Sequence, residues 1–149
     1  MLENILLTIA TAATPLLLAA IGELVVERSG VLNLGVEGIM IMGAVTGFAV
    51  SLSTGNPWLG LIAATIAGAL FSQLFAFLVI TIATNQVATG LSLTLLGIGL
   101  SGMIGESFVG QPGVKLPTLD IPILSDLPVV GKLLFAQDPL FYLSIVLVF

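Results

Sequence analysis

Long apolar runs dominate this sequence and restrict the structures that it can form. A helix needs about 20 apolar residues to cross a bilayer. The hydropathy pattern predicts spans at about residues 4–26, 39–52, 59–84 and 91–104, with an incomplete fifth span at 140–149. We therefore predict an all-α fold: a polytopic transmembrane helix bundle with broken or re-entrant segments that stops in about the fifth span.

The composition agrees with a membrane location and excludes several functional classes. Hydrophobic residues make up 58% of the 149 residues and charged residues only 7%, against about 25% charged residues in a typical soluble domain. Cysteine and histidine are absent from the sequence, which excludes thiol chemistry, imidazole bases and the usual zinc sites. The net charge of −5 provides no basic surface for nucleic acid. We expect a protein that lies in the lipid bilayer, is not an enzyme, binds no cofactor or metal of its own and has no nucleic-acid partner.

The first polar break in the apolar pattern is ERSGVLNLGVEG, residues 27–38, between the first two spans. Three interpretations remain open for it. One is a water-facing hairpin in which the glycines form the turn. Another is a helix broken inside the bundle, whose free backbone groups line an aqueous cavity or are covered by neighbouring helices. The third is an intramembrane ion or proton site with Glu23, Glu27 and Glu37 as its carboxylates.

A second polar break, TNQVATG at residues 84–90, precedes the fourth predicted span. Beyond that span, residues 105–139 are rich in proline and contain most of the remaining charged residues. Proline interrupts helices. This segment is therefore predicted to be a water-facing loop or cap.

Small residues recur at steps of four along two of the predicted spans. They are Gly43, Gly47 and Ser51 in the second span, and Gly60, Ala64, Gly68, Ser72 and Ala76 in the third. Residues four apart share a helix face, and small side chains let another helix approach closely. We expect these faces to pack within one subunit; a dimer interface would have the same spacing.

Three stretches of the chain carry a resemblance to a known family. GELVVERSGVLNLGVEGIMIMGA, residues 22–44, closely resembles the signature near the start of bacterial ABC-importer permeases of the nucleoside and simple-sugar branch. That branch is related to the branched-chain amino acid and ribose permeases. Residues 84–102 resemble the second polar break and following helix of the branch, and residues 122–143 resemble its long external loop. The resemblance implies the N-terminal part of one multi-pass permease domain in the bacterial cytoplasmic (inner) membrane.

The resemblance also implies partners and a role for the polar breaks. Permeases of this kind pair with a second permease subunit, a cytoplasmic ATPase subunit and an extracytoplasmic substrate-binding protein. By position, Asn33, Glu37, Asn85 and Gln86 would lie at or near the translocation path, and residues 105–139 would face outside. The alternative for each of the four polar residues is a structural hydrogen bond that holds a broken helix together.

One departure from the family keeps other functions open. The family's permeases are longer, and a loop that docks on the ATPase follows their fifth span; these residues do not include it. The alternatives are a branched-chain amino acid permease of the same superfamily, a secondary carrier or channel that needs no ATPase, and an inactive truncated fragment.

Overall fold

The computed structural model describes residues 2–120 and 136–148. Its helices are α1 (Leu2–Arg28), α2 (Val36–Thr54), α3 (Pro57–Ala76), α4 (Gln86–Gly105) and α5 (Pro139–Val148). A π-helical segment (Phe77–Thr81) extends α3, a 3₁₀ turn (Glu106–Phe108) extends α4, and β1 (Leu119–Asp120) pairs antiparallel with β2 (Ala136–Gln137). Among the described residues, four stretches are long and apolar enough to cross a membrane: Ile5–Arg28, Val36–Thr54, Pro57–Thr81 and Gln86–Phe108. The all-α polytopic prediction is confirmed.

Two of the membrane helices begin at least three residues earlier than the apolar pattern predicted. The second span was predicted from residue 39, but α2 begins at Val36. The fourth was predicted from residue 91, but α4 begins at Gln86. Polar residues are favoured in the cap and the first turn of a helix, where free N–H groups need acceptors. Hydropathy therefore places both starts too far along the chain.

The described residues form two compact units. One is Val25–Lys115, and the other combines the described residues of Met1–Leu24 and of Leu116–Phe149. The second unit contains most of α1, the β1–β2 pair and α5. In α5, the hydroxyl group of Ser144 is fully buried and donates to the carbonyl oxygen of Phe141 at 2.7 Å. The predicted loop at 105–139 lies partly in residues 121–135, outside the described residues.

Within the unit Val25–Lys115, α2 packs antiparallel to α3 through small residues. A methyl group in place of the Gly47 hydrogen would lie 3.0 Å from the Cβ atom of Ala64 and 3.1 Å from the carbonyl oxygen of Gly60. A methyl group on Gly43 would lie 3.4 Å from the Ala64 carbonyl oxygen. The predicted small-residue faces of the second and third spans thus meet each other in one chain, where close backbone approach favours packing.

The later part of the α3 face is packed more loosely. A methyl group on Gly68 would meet the Cγ2 atom of Ile39 at an ordinary contact distance of 3.6 Å. Ser72 is exposed and Ala76 is half-buried. The tight contact with α2 therefore involves the first half of α3 and leaves the second half open.

On another face, α2 packs parallel to α4. A methyl group on Gly97 would lie 2.7 Å from the carbonyl oxygen of Gly38, and one on Gly38 would lie 2.6 Å from the Cα atom of Thr94. Further along both helices, a methyl group on Gly105 would meet Val45 at 3.5 Å. Only glycine allows backbones to come this close. We call this contact the Gly38–Gly97 crossing.

Candidate functional site

The two polar breaks of the sequence meet at one end of this unit. Residues 29–35 connect α1 to α2, and residues 82–85 connect the π-helical segment to α4. The backbone N–H of Leu32 donates to the Oε1 atom of Gln86 at 2.8 Å. The hydroxyl group of Thr94 donates to the carbonyl oxygen of Leu34 at 3.1 Å. We call this region, residues 29–35 with 84–86, the polar junction.

Asn33 stabilises the turn in the first segment of the polar junction, residues 29–35. Its side chain is buried, and its Oδ1 atom accepts a hydrogen bond from the backbone N–H of Gly35 at 2.9 Å. This contact from residue i to residue i+2 is the Asx-turn geometry that asparagine favours. A methyl group on Gly90 would lie 2.8 Å from the backbone nitrogen of Leu34. The connection is thus folded tightly against the first turns of α4.

The second half of the polar junction is shaped by the end of the π-helical segment. The hydroxyl group of Thr84 donates to the carbonyl oxygen of Leu78 at 2.8 Å. The N–H of Ile82 donates to the carbonyl oxygen of Phe77 at 3.2 Å, the five-residue spacing of a π-helix. Ala83 has a φ of 58°, in the left-handed region that non-glycine residues rarely adopt. Together these features turn the chain sharply into α4.

The helix α4 then begins with a side-chain cap. The Oδ1 atom of Asn85 accepts from the backbone N–H of Ala88 at 3.0 Å, which satisfies one of the free donors of the first turn. Glu37 lies exposed in the first turn of α2, where a carboxylate interacts favourably with the helix dipole. Neither Asn85 nor Glu37 is buried.

Three of the four predicted path residues therefore bond to backbone groups. Asn33, Asn85 and Gln86 make the contacts expected under the structural alternative, and the junction brings these three together at one end of the unit. Glu27 and Glu37, two carboxylates of the ion-site interpretation, are both exposed. A direct role of these residues in transport stays a prediction.

An open groove lies beside the polar junction. Its volume is about 370 Å³. One wall comes from the end of α3 and the π-helical segment, and the other from one face of α4. It is lined by Leu74, Leu78, Thr84, Asn85, Ala88, Thr89, Ser92, Leu93 and Leu96. Most of its surface is apolar, with hydroxyl and amide groups near the start of α4.

The groove was not predicted from the sequence, and of its four polar lining residues only Asn85 was among the predicted path residues. Thr89 lay in the second polar break without an assigned role, and Ser92 was treated as part of an apolar span. The available signal was their helical spacing from Asn85, since residues three, four and seven apart share one face. The partner wall gave no such signal, because the π-helical segment that shapes it is plain apolar sequence, FLVIT.

Nearly the whole chain matches a known protein family. A family model described as the permease component of branched-chain amino acid transport systems matches residues 5–149. The chain belongs to this permease family. The resemblance found in the sequence is confirmed, and the four span-length helices make this member of the family a multi-pass protein of the cytoplasmic membrane.

Three curated relatives are similar to this permease chain. A Haloferax volcanii protein provisionally named a glucose ABC transporter permease is 45% identical over 92% of this chain and 43% of its own length. A guanosine ABC transporter permease of Bacillus subtilis is 39% identical over 89% of this chain and 44% of its own. A nucleoside ABC transporter permease of Lactococcus lactis is 31% identical over 93% of this chain and 47% of its own. The chain thus spans less than half the length of these relatives, and no solved structure matches it.

Proposed function

We propose that this chain forms part of the membrane-spanning permease subunit of an ABC importer for nucleosides or related simple sugars. The observation that carries the proposal is the identity to three relatives whose names specify glucose, guanosine and nucleosides. The four span-length helices and the polar junction support it, because a transport path needs polar groups that the surrounding helices can hold at membrane depth.

The proposed importer needs partners that supply energy and substrate. In it, a cytoplasmic ATPase subunit hydrolyses ATP, a second permease subunit completes the pathway, and an extracytoplasmic substrate-binding protein delivers the solute. The chain itself contributes no cofactor and catalyses no reaction. Its role is to surround the path, and Asn33, Glu37, Asn85 and Gln86 lie at or near that path in this proposal.

Uptake by the assembled importer tests the proposal. The full-length permease, its ATPase and its binding protein are reconstituted in proteoliposomes, and uptake of radiolabelled guanosine, glucose and leucine is measured with and without internal ATP. We expect ATP-dependent uptake of guanosine or glucose and none of leucine. A matched preparation whose ATPase cannot hydrolyse ATP is the control and takes up none of the three.

Two results would contradict the proposal. ATP-dependent uptake of leucine alone would identify an amino acid permease, which the family description also covers. Uptake that follows a proton gradient in the absence of ATP would identify a secondary carrier.

A further inference from the structure

We propose that the groove between the end of α3 and α4 is a binding site for an uncharged solute rich in hydroxyl groups. The inference rests on the proposed function and adds to it a location and a recognition chemistry. It concerns the groove rather than the buried contacts of the polar junction.

The absence of ionisable side chains among the residues that line the groove indicates the class of solute it can bind. None of the nine residues that line it has an ionisable side chain. A zwitterionic amino acid needs a partner for its ammonium and its carboxylate groups, because isolated charges are expensive to desolvate. A sugar or a nucleoside carries no such charge. The groove thus favours the neutral solute class over the amino acid class.

Asn85 provides hydrogen-bond donors to the groove. A backbone N–H can only donate, so the side-chain atom that faces the N–H of Ala88 at 3.0 Å is the oxygen. The amide nitrogen of Asn85 therefore points away from this bond with two N–H donors on an exposed side chain that lines the groove. These donors match hydroxyl and carbonyl oxygens of a solute.

The hydroxyl groups of the groove provide acceptors instead. Ser92 donates its proton to the carbonyl oxygen of Ala88 at 2.8 Å. Thr84 donates to Leu78, so the 2.9 Å contact between the Thr84 and Thr89 oxygens uses the proton of Thr89. Each hydroxyl proton is then committed inside the protein, and the oxygens of Ser92 and Thr89 keep lone pairs. Such oxygens accept hydrogen bonds from solute hydroxyl groups.

The size and the apolar walls fit the same class of solute. The volume of about 370 Å³ is near the lower end of the roughly 300–1,000 Å³ found for small-molecule sites. Leucine side chains from both walls offer an apolar surface for the C–H face of a sugar or for a base. Water or a solute in the groove supplies hydrogen-bond partners for the amide donors of Asn85.

Thiol labelling tests this site in the assembled full-length importer. The 149 residues contain no cysteine, so Ala88→Cys places one thiol of this segment in the groove, and the parent importer serves as the blank for other thiols. Leu91→Cys is the matched control, since Leu91 is 52% exposed on the same helix but does not line the groove. The probe is a charged, water-soluble methanethiosulfonate applied to membrane fragments open on both sides. We expect Ala88→Cys to react much faster than Leu91→Cys, which lies outside the groove.

Protection by solute then separates a binding site from a wet crevice. Guanosine or glucose, whichever the parent takes up, is added at ten times its half-saturating concentration, which leaves about one site in ten free. Labelling of Ala88→Cys should slow about tenfold. Unslowed labelling in an active importer would overturn the site, and an unreactive Ala88→Cys would show that another helix fills the groove. If the proposed function is wrong, the parent importer itself takes up neither guanosine nor glucose, and this result is distinct from unslowed labelling in an active importer.

A second variant keeps the test independent of the label. Ser92→Ala removes a groove acceptor and should raise KM for uptake several-fold without changing the amount of assembled importer. Ser101→Ala is its control on the same helix, because the Ser101 hydroxyl bonds to the Ile98 carbonyl oxygen outside the groove. Equal KM values in both variants would count against the site.

Discussion

At the scale of single residues, side-chain amides connect the polar junction. The Oδ1 atom of Asn33 accepts a hydrogen bond within the connection between α1 and α2 and stabilises the turn there. The Oε1 atom of Gln86, in α4, accepts a hydrogen bond from the backbone N–H of Leu32 in that connection. Both bonds satisfy backbone N–H groups at points where the helical ladder stops. A backbone N–H that water does not reach is costly to leave unsatisfied, so these amides allow the chain to leave helical geometry there.

The bond of Gln86 leads to a stability prediction. Gln86→Met keeps the length of the side chain but removes the acceptor for the Leu32 N–H, and we expect it to lower the free energy of unfolding by about 1 kcal/mol. Gln86→Glu retains an oxygen acceptor and should lose less. Thermal unfolding of the purified full-length permease measures both.

The control for this prediction is Gln73→Met, which changes an exposed glutamine of α3. It should leave the unfolding temperature unchanged. If Gln86→Met unfolds at the temperature of the parent, the Leu32–Gln86 bond contributes nothing to stability.

The sequence predicted which residues of the junction are polar but could not predict that they meet. Asn33 and Gln86 were selected because the family resemblance implies a position near the translocation path for each. Their proximity depends on α2 and α4 running parallel, and nothing in either local sequence encodes that orientation. The cap formed by Asn85 was locally readable, since asparagine before a helix is a standard N-cap, but hydropathy obscured it.

At the scale of helices, packing depends on where glycines face one another. The small-residue faces of α2 and α3 were visible as steps of four, and they do meet. The Gly38–Gly97 crossing was not predicted, although Gly90 and Gly97 are seven apart and share a face of α4. The π-helical segment could not be predicted from the sequence. Its hydrogen bonds span five residues and not four, but its residues are apolar like those of the α-helix before it.

The Gly38–Gly97 crossing gives a prediction about α2–α4 packing. Gly97→Ala places a methyl group 2.7 Å from the Gly38 carbonyl oxygen, so the helices must separate, and we expect a loss of about 1–3 kcal/mol in stability. Gly99→Ala, two residues away, meets nothing within 4 Å and should be neutral or slightly stabilising, because alanine favours helix over glycine.

Chemical unfolding in detergent measures both glycine variants. A Gly97→Ala protein as stable as the Gly99→Ala protein would mean that α2 and α4 do not approach as closely as the crossing requires.

At the scale of the whole unit Val25–Lys115, the parallel course of α2 and α4 separates two ends. The polar junction lies at the start of both helices. The residues after α4 lie at the other end, where Phe48 and Phe108 form an edge-to-face pair with ring centres 6.3 Å apart. Arg28 beside the junction favours a cytoplasmic position by the positive-inside rule, and the family resemblance implies that the residues directly after α4 face outside. We therefore expect the polar junction on the cytoplasmic side and the residues directly after α4 on the outer side.

Sided labelling checks this orientation. In intact cells, an impermeant thiol reagent should label Lys115→Cys, whereas Ser29→Cys should react only after the membrane is permeabilised. Both positions are exposed, so access to the reagent depends on the side of the membrane. Labelling of both from outside would contradict the separation of the two ends, and the reverse pattern would invert the orientation.

The long-range bonds of the polar junction also impose an order on biosynthesis. The hydrogen-bond partner of the Leu32 N–H, Gln86, is synthesised 54 residues later. The partner of the Leu34 carbonyl oxygen, Thr94, is synthesised 60 residues later. Chains are made from the N-terminus at about 5–20 residues per second, so α2 and α3 are available to pair as an antiparallel hairpin before α4 leaves the ribosome. During those seconds the connection at 29–35 needs water or the insertion machinery as its hydrogen-bond partner. Docking of α4 is therefore the step that completes this unit during membrane insertion.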